Sequence, residues 1–281
     1  MGNCKVFTNS VSDLSPERAQ EYNIGVVPDI VIFNETEYLC NIDIDPPRLF
    51  SMMRESKRLP STSHPNEYIY ASSFRTAQAY DEILCINVSS VMSGSYQTAT
   101  STAKTLAEEG FKPRIYTYDS LQVSFGLALL VIEAAKLARE GKTAREIMDY
   151  LDIIRNKVGV YFVMRSLENA KKGGRVGEIK CLTATLLGIH PILTFRDGTV
   201  KEIRLMHTFD KSVLRVAEYF KNKARKGSMV FIYHGDNEPD ALRIKQRVLD
   251  CDPQADIHIE WIGVAIGIYA GEGTVGVAFM E

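Results

Sequence analysis

The chain has 281 residues, of which 45% are hydrophobic and 24% charged, a composition typical of a folded globular protein and not of a disordered one. This length is sufficient for about two domains, each with its own core. The formal net charge of −2 argues against nucleic-acid binding, which normally requires a clustered excess of Lys and Arg.

The cysteines and the apolar segments favour a cytoplasmic protein without a membrane span. The five cysteines are scattered, odd in number and without CxxC spacing, which is typical of reduced thiols. The N-terminus lacks the apolar stretch of a signal peptide. The longest apolar run, residues 127–138, contains Glu133 and Lys136 and is too short to cross a bilayer. The five histidines show neither HxH nor HxxxH spacing, so no metal or other cofactor is expected.

In the first half of the chain the predicted elements alternate between strands and helices. A strand begins at Lys5, and Ser15 with Pro16 marks a helix start, because serine is a common N-cap and proline suits the first helical position. A strand with an early proline is predicted over 24–33. The other elements predicted here are strands over 83–89 and 113–118, and helices over 46–57, 94–109, 123–140 and 143–157.

The pattern restarts near residue 159, so two α/β domains are predicted, over 1–160 and 161–281. Residues 190–206 resemble a hairpin, because 196–199 (RDGT) is a tight-turn sequence between two β-rich runs. We expect a largely parallel sheet with flanking helices in the first domain and a mixed sheet in the second. The elements predicted in the second domain are strands over 159–164, 190–195, 200–206, 228–233, 256–261 and 274–280, and helices near 178–187, 210–225 and 238–250.

Two hydroxyl-rich segments are the candidate ligand-binding segments. Residues 89–97 (SSVMSGSYQ) follow a predicted buried strand, and ligands of open α/β sheets bind at the carboxyl ends of strands. Ser93 and Gly94 there would offer a hydroxyl and backbone N–H groups to a carboxylate or a phosphate. Alternatively, Ser93 only caps the helix. The second segment, 61–66 (STSHPN), is extended before its proline. The alternative interpretation of this segment is an ordinary solvated loop.

In this order and separation, the two segments resemble the TSxP and SSxxSGxYQ segments of the DegV family of bacterial lipid-binding proteins. Each fragment is weak by itself, but the ordered set spans nearly the whole chain. The further segments that resemble the family are 7–14 (FTNSVSDL), 25–28 (GVVP), 118–126, 172–175 (KGGR), 190–198 and 267–276.

The resemblance implies a non-enzymatic protein that holds a long-chain fatty acid, such as palmitate, in the cleft between two α/β domains. It implies carboxylate contacts from Thr62 and Ser93, with Gly94, His64 and Tyr269 as headgroup neighbours. Burying acyl methylenes contributes roughly 0.8 kcal/mol each, so the tail would supply most of the affinity and the hydroxyls the orientation.

The resemblance also implies lipid transport or presentation of the fatty acid to an ATP-dependent fatty-acid kinase. Arg175 and Arg204 match positions that would contact this catalytic subunit. The alternative interpretation is that both are ordinary surface charges. The chain departs from the family with Asn9 for an aspartate, His64 for a glutamine and Tyr269 for a histidine. A tyrosine donates a hydrogen bond but is not cationic, so these changes favour retained lipid binding over competence with the kinase.

A serine hydrolase acting on acyl esters is the alternative function. Ser93 would be the nucleophile, with His64 or His234 as its base. The GxSxG elbow of such enzymes is absent, because residue 91 is Val. A nucleotide-binding module is not supported, since neither GxGxxG after the first strand nor GxxxxGK[ST] occurs.

Overall fold

Over the residues that the structure describes, the strands form three sheets. The computed structural model of the chain describes residues 3–56, 58–175 and 188–281. In chain order the strands of these residues are β1 (Cys4–Asn9), β2 (Gly25–Val27), β3 (Ile30–Phe33), β4 (Thr36–Leu39), β5 (Ser61–Ser63), β6 (Glu82–Asn87), β7 (Arg114–Asp119), β8 (Val158–Val163), β9 (Ile192–Arg196), β10 (Thr199–Arg204), β11 (Met229–His234), β12 (Asp256–Trp261) and β13 (Val275–Met280).

Helices cover the sheets and join their strands. Those of the described residues are α1 (Pro16–Glu21), α2 (Pro46–Glu55), α3 (Glu67–Arg75), α4 (Ser95–Glu108), α5 (Ser124–Arg139), α6 (Ala144–Ile154), α7 (Glu168–Gly173), α8 (Phe209–Lys223), α9 (Glu238–Cys251) and α10 (Val264–Ala270). Two 3₁₀ turns, Ser10–Ser12 and Arg155–Lys157, complete the set. The helix predicted near 178–187 lies outside the described residues.

The four-stranded sheet is wholly parallel, in the order β2-β1-β6-β7, as predicted for the first domain. The carboxyl ends of its strands therefore meet at one edge. A buried polar network fixes this edge. The Asn9 amide donates to Tyr70 Oη over 2.6 Å, and Tyr70 Oη donates to Asn87 Oδ1 over 3.0 Å.

The predicted single strand over 24–33 is wrong. The segment forms two strands in different sheets, because β2 pairs with β1 while β3 pairs antiparallel with β4 and β5. The break falls at Pro28, which has no N–H for a ladder, and at Asp29, whose N–H donates to the Ser10 hydroxyl over 2.9 Å. The three-stranded sheet β4-β3-β5 was not predicted, since its strands are three or four residues long.

The six-stranded sheet is mixed, in the order β10-β9-β8-β13-β11-β12, as predicted for the second domain. The predicted hairpin is confirmed by the antiparallel pairing of β9 with β10. Asp197 and Gly198 both have positive φ (53° and 77°), as a type I′ turn requires. The strand β8 belongs to this sheet and begins at Val158, so the proposed boundary at residue 160 lies inside it.

Helix α5 connects the two large sheets. Its apolar run packs against β1 on one side and against β8 and β13 on the other, and its residues 124–132, 134 and 135 are buried. This accounts for the apolar run over 127–138, which contributes to the core. Over residues 3–56, 58–175 and 188–281, no helix combines the length and the apolarity that crossing a bilayer would need.

Candidate functional site

A cavity of about 310 Å³ lies where the edge of the four-stranded sheet and the three-stranded sheet face the six-stranded sheet. Five of the sequence-predicted headgroup residues and one of the two arginines line it. We call these six residues the polar rim: Thr62, His64, Ser93, Gly94, Arg175 and Tyr269. The hydroxyls of Thr62 and Ser93, from segments distant in sequence, thus belong to residues that line the same cavity.

Thr62 lies on β5 and contacts Tyr269, which lies on α10, in the lining of the cavity. Their hydroxyl oxygens are 2.6 Å apart and share one hydrogen bond. The pairing of Val31 with Thr62 in the three-stranded sheet fixes the position of Thr62. Tyr269 is therefore in direct contact with the predicted carboxylate ligand Thr62.

Ser93 and Gly94 lie between β6 and α4. Gly94 is the N-cap residue of α4, and Ser93 Oγ accepts from the Ser95 N–H over 3.2 Å and lies 2.9 Å from Ser95 Oγ. The preceding loop is pinned, because Ser90 Oγ donates to the Asp119 carboxylate over 2.5 Å. Sequence reasoning missed Asp119 as a positioning residue, although its place at the end of β7, beside β6, could have indicated it.

Two glycines permit close packing around the rim. A Cβ on Gly94 would lie 2.9 Å from His64 Cε1, so glycine lets the imidazole approach the start of α4. A Cβ on Gly173 would lie 2.2 Å from Tyr269 Cδ1, which explains a glycine in the KGGR segment. The guanidinium of Arg175 lies over the Tyr269 ring at 5.5 Å and donates to the Gly173 carbonyl over 2.8 Å.

Arg204 lies away from the polar rim. It is exposed at the end of β10 and does not line the cavity. The structure therefore does not bring it together with the polar rim, and any role for it lies outside the cavity.

The opposite side of the cavity is apolar. We call four residues of β8, β9 and β10 the apolar wall: Val160, Phe162, Phe195 and Val200. Side chains alternate between the two faces of a strand. The intervening residues, such as Tyr161 and Val163, pack instead against the α8 and α9 layer. The alternation alone did not indicate which face would border a cavity.

Two buried carboxyls lie close to the cavity, and sequence reasoning missed both. Asp29 lines it, and the Ser10 hydroxyl donates to Asp29 Oδ2 over 2.8 Å. Asp13 accepts from Ser124 Oγ over 2.5 Å. Burial raises the pKa of each to about 7, and hydrogen bonds from Ser124 and Ser10 limit the rise. The available sequence signal for Asp29 was an acidic residue between Pro28 and the apolar run of residues 30–33.

The contacts of Ser93 do not support a catalytic triad. Within the described ranges, the hydrogen-bond partners of its hydroxyl belong to Ser95, and no imidazole is among them. His234 is buried against Trp261, and its Nδ1 accepts from the Asn237 N–H over 3.2 Å. Nor do the described residues contain a group of three or more His, Cys, Asp or Glu able to hold a metal ion.

The DegV family model matches residues 3–281, almost the whole chain. The chain belongs to the DegV family. A DegV domain-containing protein of Halalkalibacterium halodurans is 29% identical over 278 residues, which cover 98% of this chain and 97% of that protein.

Solved DegV structures share the fold. A DegV family protein from Thermus thermophilus, described as binding fatty acid, superposes with a TM-score of 0.89 at 26% identity and full coverage of both chains. The fatty acid kinase (Fak) B3 protein of Streptococcus pneumoniae, loaded with linoleic acid, superposes with a TM-score of 0.84 at 20% identity and 99% coverage of both. The two-domain α/β architecture is therefore that of the DegV family.

Proposed function

We propose that this protein binds a long-chain fatty acid such as palmitate without chemical turnover. The observation that carries the proposal is one cavity with a polar rim on one side and an apolar wall on the other. A fatty acid has the same division between a charged head and an oily tail. The DegV family protein from Thermus thermophilus, described as binding fatty acid, supports the same ligand class.

Thr62 and Ser93 are the proposed carboxylate ligands, with the Gly94 N–H and Tyr269 Oη as neighbouring donors. Hydrogen bonds to a charged group contribute roughly 1.5–3 kcal/mol each, so two hydroxyls fix the orientation of the head. They are too few to provide tight binding alone. Burial of the tail against the apolar wall contributes roughly 0.8 kcal/mol per methylene and supplies most of the affinity.

The test is ligand retention. Protein purified from a bacterial host should release a fatty acid on denaturation, as measured by native mass spectrometry before and after. Changing Thr62→Ala together with Ser93→Ala should lower affinity for palmitate at least tenfold while the unfolding midpoint changes little. The matched control is Thr100→Ala with Ser101→Ala, which removes the same groups from the exposed face of α4. Equal affinities of the two double variants would contradict the assignment.

The competing hydrolase function has its own test. A fluorophosphonate probe should leave Ser93 unlabelled, because no histidine activates its hydroxyl in the structure described above. Labelling at Ser93, with loss of esterase turnover in Ser93→Ala, would overturn the carrier function in favour of the enzyme.

We further propose that the loaded protein presents its carboxylate to a fatty-acid kinase in the cytoplasm. The shared fold with the Fak B3 protein supports this partner, and the free thiols of Cys4, Cys40, Cys85 and Cys251 are compatible with a reducing compartment. Formation of acyl phosphate should require both proteins and ATP. Arg175→Glu and Arg204→Glu should each slow it, since both arginines are exposed on the surface of the protein. Unchanged rates would remove these arginines from the interface.

A further inference from the structure

His64 places an imidazole in the part of the cavity to which Thr62 and Ser93 belong. It follows β5 directly, and Pro65 after it keeps the backbone extended. Residues two apart in an extended segment point to the same side, so the side chains of Thr62 and His64 share one side of the chain. Both residues line the cavity.

The imidazole also packs against the start of α4. Its Cε1, Nε2 and Nδ1 atoms lie 2.9, 3.2 and 3.4 Å from the position that a Cβ of Gly94 would occupy. Gly94 follows Ser93, the second proposed carboxylate ligand. His64 is therefore next to both proposed ligands, two residues from Thr62 along the chain and packed on the residue after Ser93.

The two ring nitrogens of His64 are available to a ligand. Within the described part of the chain, neither nitrogen has a hydrogen-bond partner from the protein. The residue is exposed, so it exchanges protons with solvent. Histidine is the side chain that changes its charge between about pH 5 and pH 8.

The cavity offers few positive charges to a carboxylate. Among the described residues that line it, His64 and Arg175 are the two that can be cationic. The guanidinium of Arg175 lies over the Tyr269 ring, 5.5 Å from its centre, and keeps its charge at every pH of interest. Of these two cations, the one whose charge depends on pH is the imidazole beside Gly94.

Two acids belong to elements around His64. Glu67 begins α3 and does not line the cavity, and its carboxylate accepts from Ser101 Oγ of α4 over 2.6 Å. Asp29 lines the cavity just before β3, and burial raises its pKa to about 7. A dependence of binding on pH could therefore originate from His64 or from Asp29, and the experiment below separates them.

We propose that protonated His64 is a third ligand of the bound carboxylate, so that binding of a fatty acid is coupled to uptake of a proton. This inference rests on the proposed fatty-acid binding and adds a cationic ligand to it. The imidazolium donates an N–H to the carboxylate that Thr62 and Ser93 bind, and such charge-assisted hydrogen bonds are stronger than neutral ones. The affinity is therefore highest where His64 is protonated in the free protein, and it falls as the pH rises.

The experiment measures the ratio of the affinities for palmitate and palmitamide at pH 6 and pH 8. Delipidated protein is titrated by competition against a fluorescent fatty acid calibrated at each pH. The two ligands have the same tail and nearly the same shape, but the amide is uncharged, so the ratio cancels effects of pH on the apolar wall and on stability. Palmitate is ionised at both values, since carboxyl groups titrate near about pH 4.

We expect the ratio in wild-type protein to fall about fivefold from pH 6 to pH 8, the size of effect that one exposed charge pair produces. A ratio that is equal at the two pH values, or that rises, overturns the inference without any variant.

Variants assign the proton to His64. His64→Gln keeps a hydrogen-bonding side chain that does not titrate, and the fall in the ratio should shrink to less than twofold. The matched control is His207→Gln, at an exposed histidine outside the cavity, which should keep the fivefold fall. Asp29→Asn tests the other origin. A fall that persists in His64→Gln and disappears in Asp29→Asn overturns the inference and assigns the proton to Asp29.

The outcomes separate this inference from the function on which it rests. Tight binding of palmitate with a ratio independent of pH removes the role of His64 and leaves fatty-acid binding in place. Failure of palmitate to bind at either pH removes both.

Discussion

The polar rim and the apolar wall face each other across one cavity but are built differently. The rim takes its residues from loops and element ends, such as the segment between β6 and α4, and depends on individual hydrogen bonds. The wall takes its residues from the interiors of paired strands in the six-stranded sheet. The comparison indicates that a few hydrogen-bonding groups of the polar rim orient the ligand. Affinity depends instead on the apolar wall, whose positions are fixed by strand pairing.

Filling the apolar wall should have the largest effect on binding. Val200→Trp would occupy space beside Phe195, its cross-strand partner, and displace about four methylenes of the tail. At roughly 0.8 kcal/mol each, the loss is about 3 kcal/mol, or about 100-fold in affinity, measured by competition titration with palmitate. The control is Ile203→Trp, on the same strand but exposed and outside the cavity. Similar affinities for both variants would show that the tail lies elsewhere.

Stability should fall as the pH rises, because Asp13 and Asp29 are buried beside the cavity. Their pKa values are raised from 3.8 to about 7 in the folded protein, so between these values the folded state binds more protons than the unfolded state. The free energy of unfolding should therefore decrease between about pH 4 and pH 7, by about 1.4 kcal/mol per pH unit for each carboxyl and so by several kcal/mol in all, and level off above. Urea unfolding at pH 5 and pH 8 measures this difference.

Asp13→Asn and Asp29→Asn should each reduce that pH dependence, since an amide does not titrate. A profile that is flat in wild-type protein, or unchanged in both variants, would contradict the assignment of the slope to these two carboxyls.

Removing one hydroxyl from the polar rim should cost about tenfold in affinity. Tyr269→Phe keeps the ring that packs on Gly173 and loses only the oxygen that lies 2.6 Å from Thr62 Oγ1. A hydrogen bond to a carboxylate is worth roughly 1.5–3 kcal/mol, so isothermal titration with palmitate should detect the loss. Tyr68→Phe, at an exposed tyrosine outside the cavity, provides the control. Unchanged affinity in Tyr269→Phe would limit this tyrosine to a packing role.

The smallest expected effect concerns the exposed charge of the rim. Arg175→Gln should weaken palmitate binding a few-fold at low salt and less at high salt, because exposed charges act weakly and are screened. Arg204→Gln should leave the affinity unchanged, since Arg204 does not line the cavity. Salt-dependence of binding in the two variants distinguishes them, and equal losses would contradict the separation that the structure shows.

The sequence predicted helices and strands well where the conformational preferences of neighbouring residues determine them. The β9–β10 hairpin followed from Asp197 and Gly198, since few residues other than Asn, Asp and Gly readily take positive φ at both turn positions. The prediction of a single strand over 24–33 was wrong, because a run of β-rich residues does not reveal which strand each part of it will pair with. Helices α3, α7 and α10 were missed for a related reason, as they are short and are stabilised by packing.

The sequence by itself determined the alternation of strands and helices, the polar segments at 61–66 and 89–97 and their resemblance to the DegV family, because these are properties of neighbouring residues. Only the tertiary structure decided that Thr62 contacts Tyr269, that Asp29 lines the cavity and that Arg204 does not. Those relations depend on strand register and sheet order, which bring together residues up to 207 positions apart.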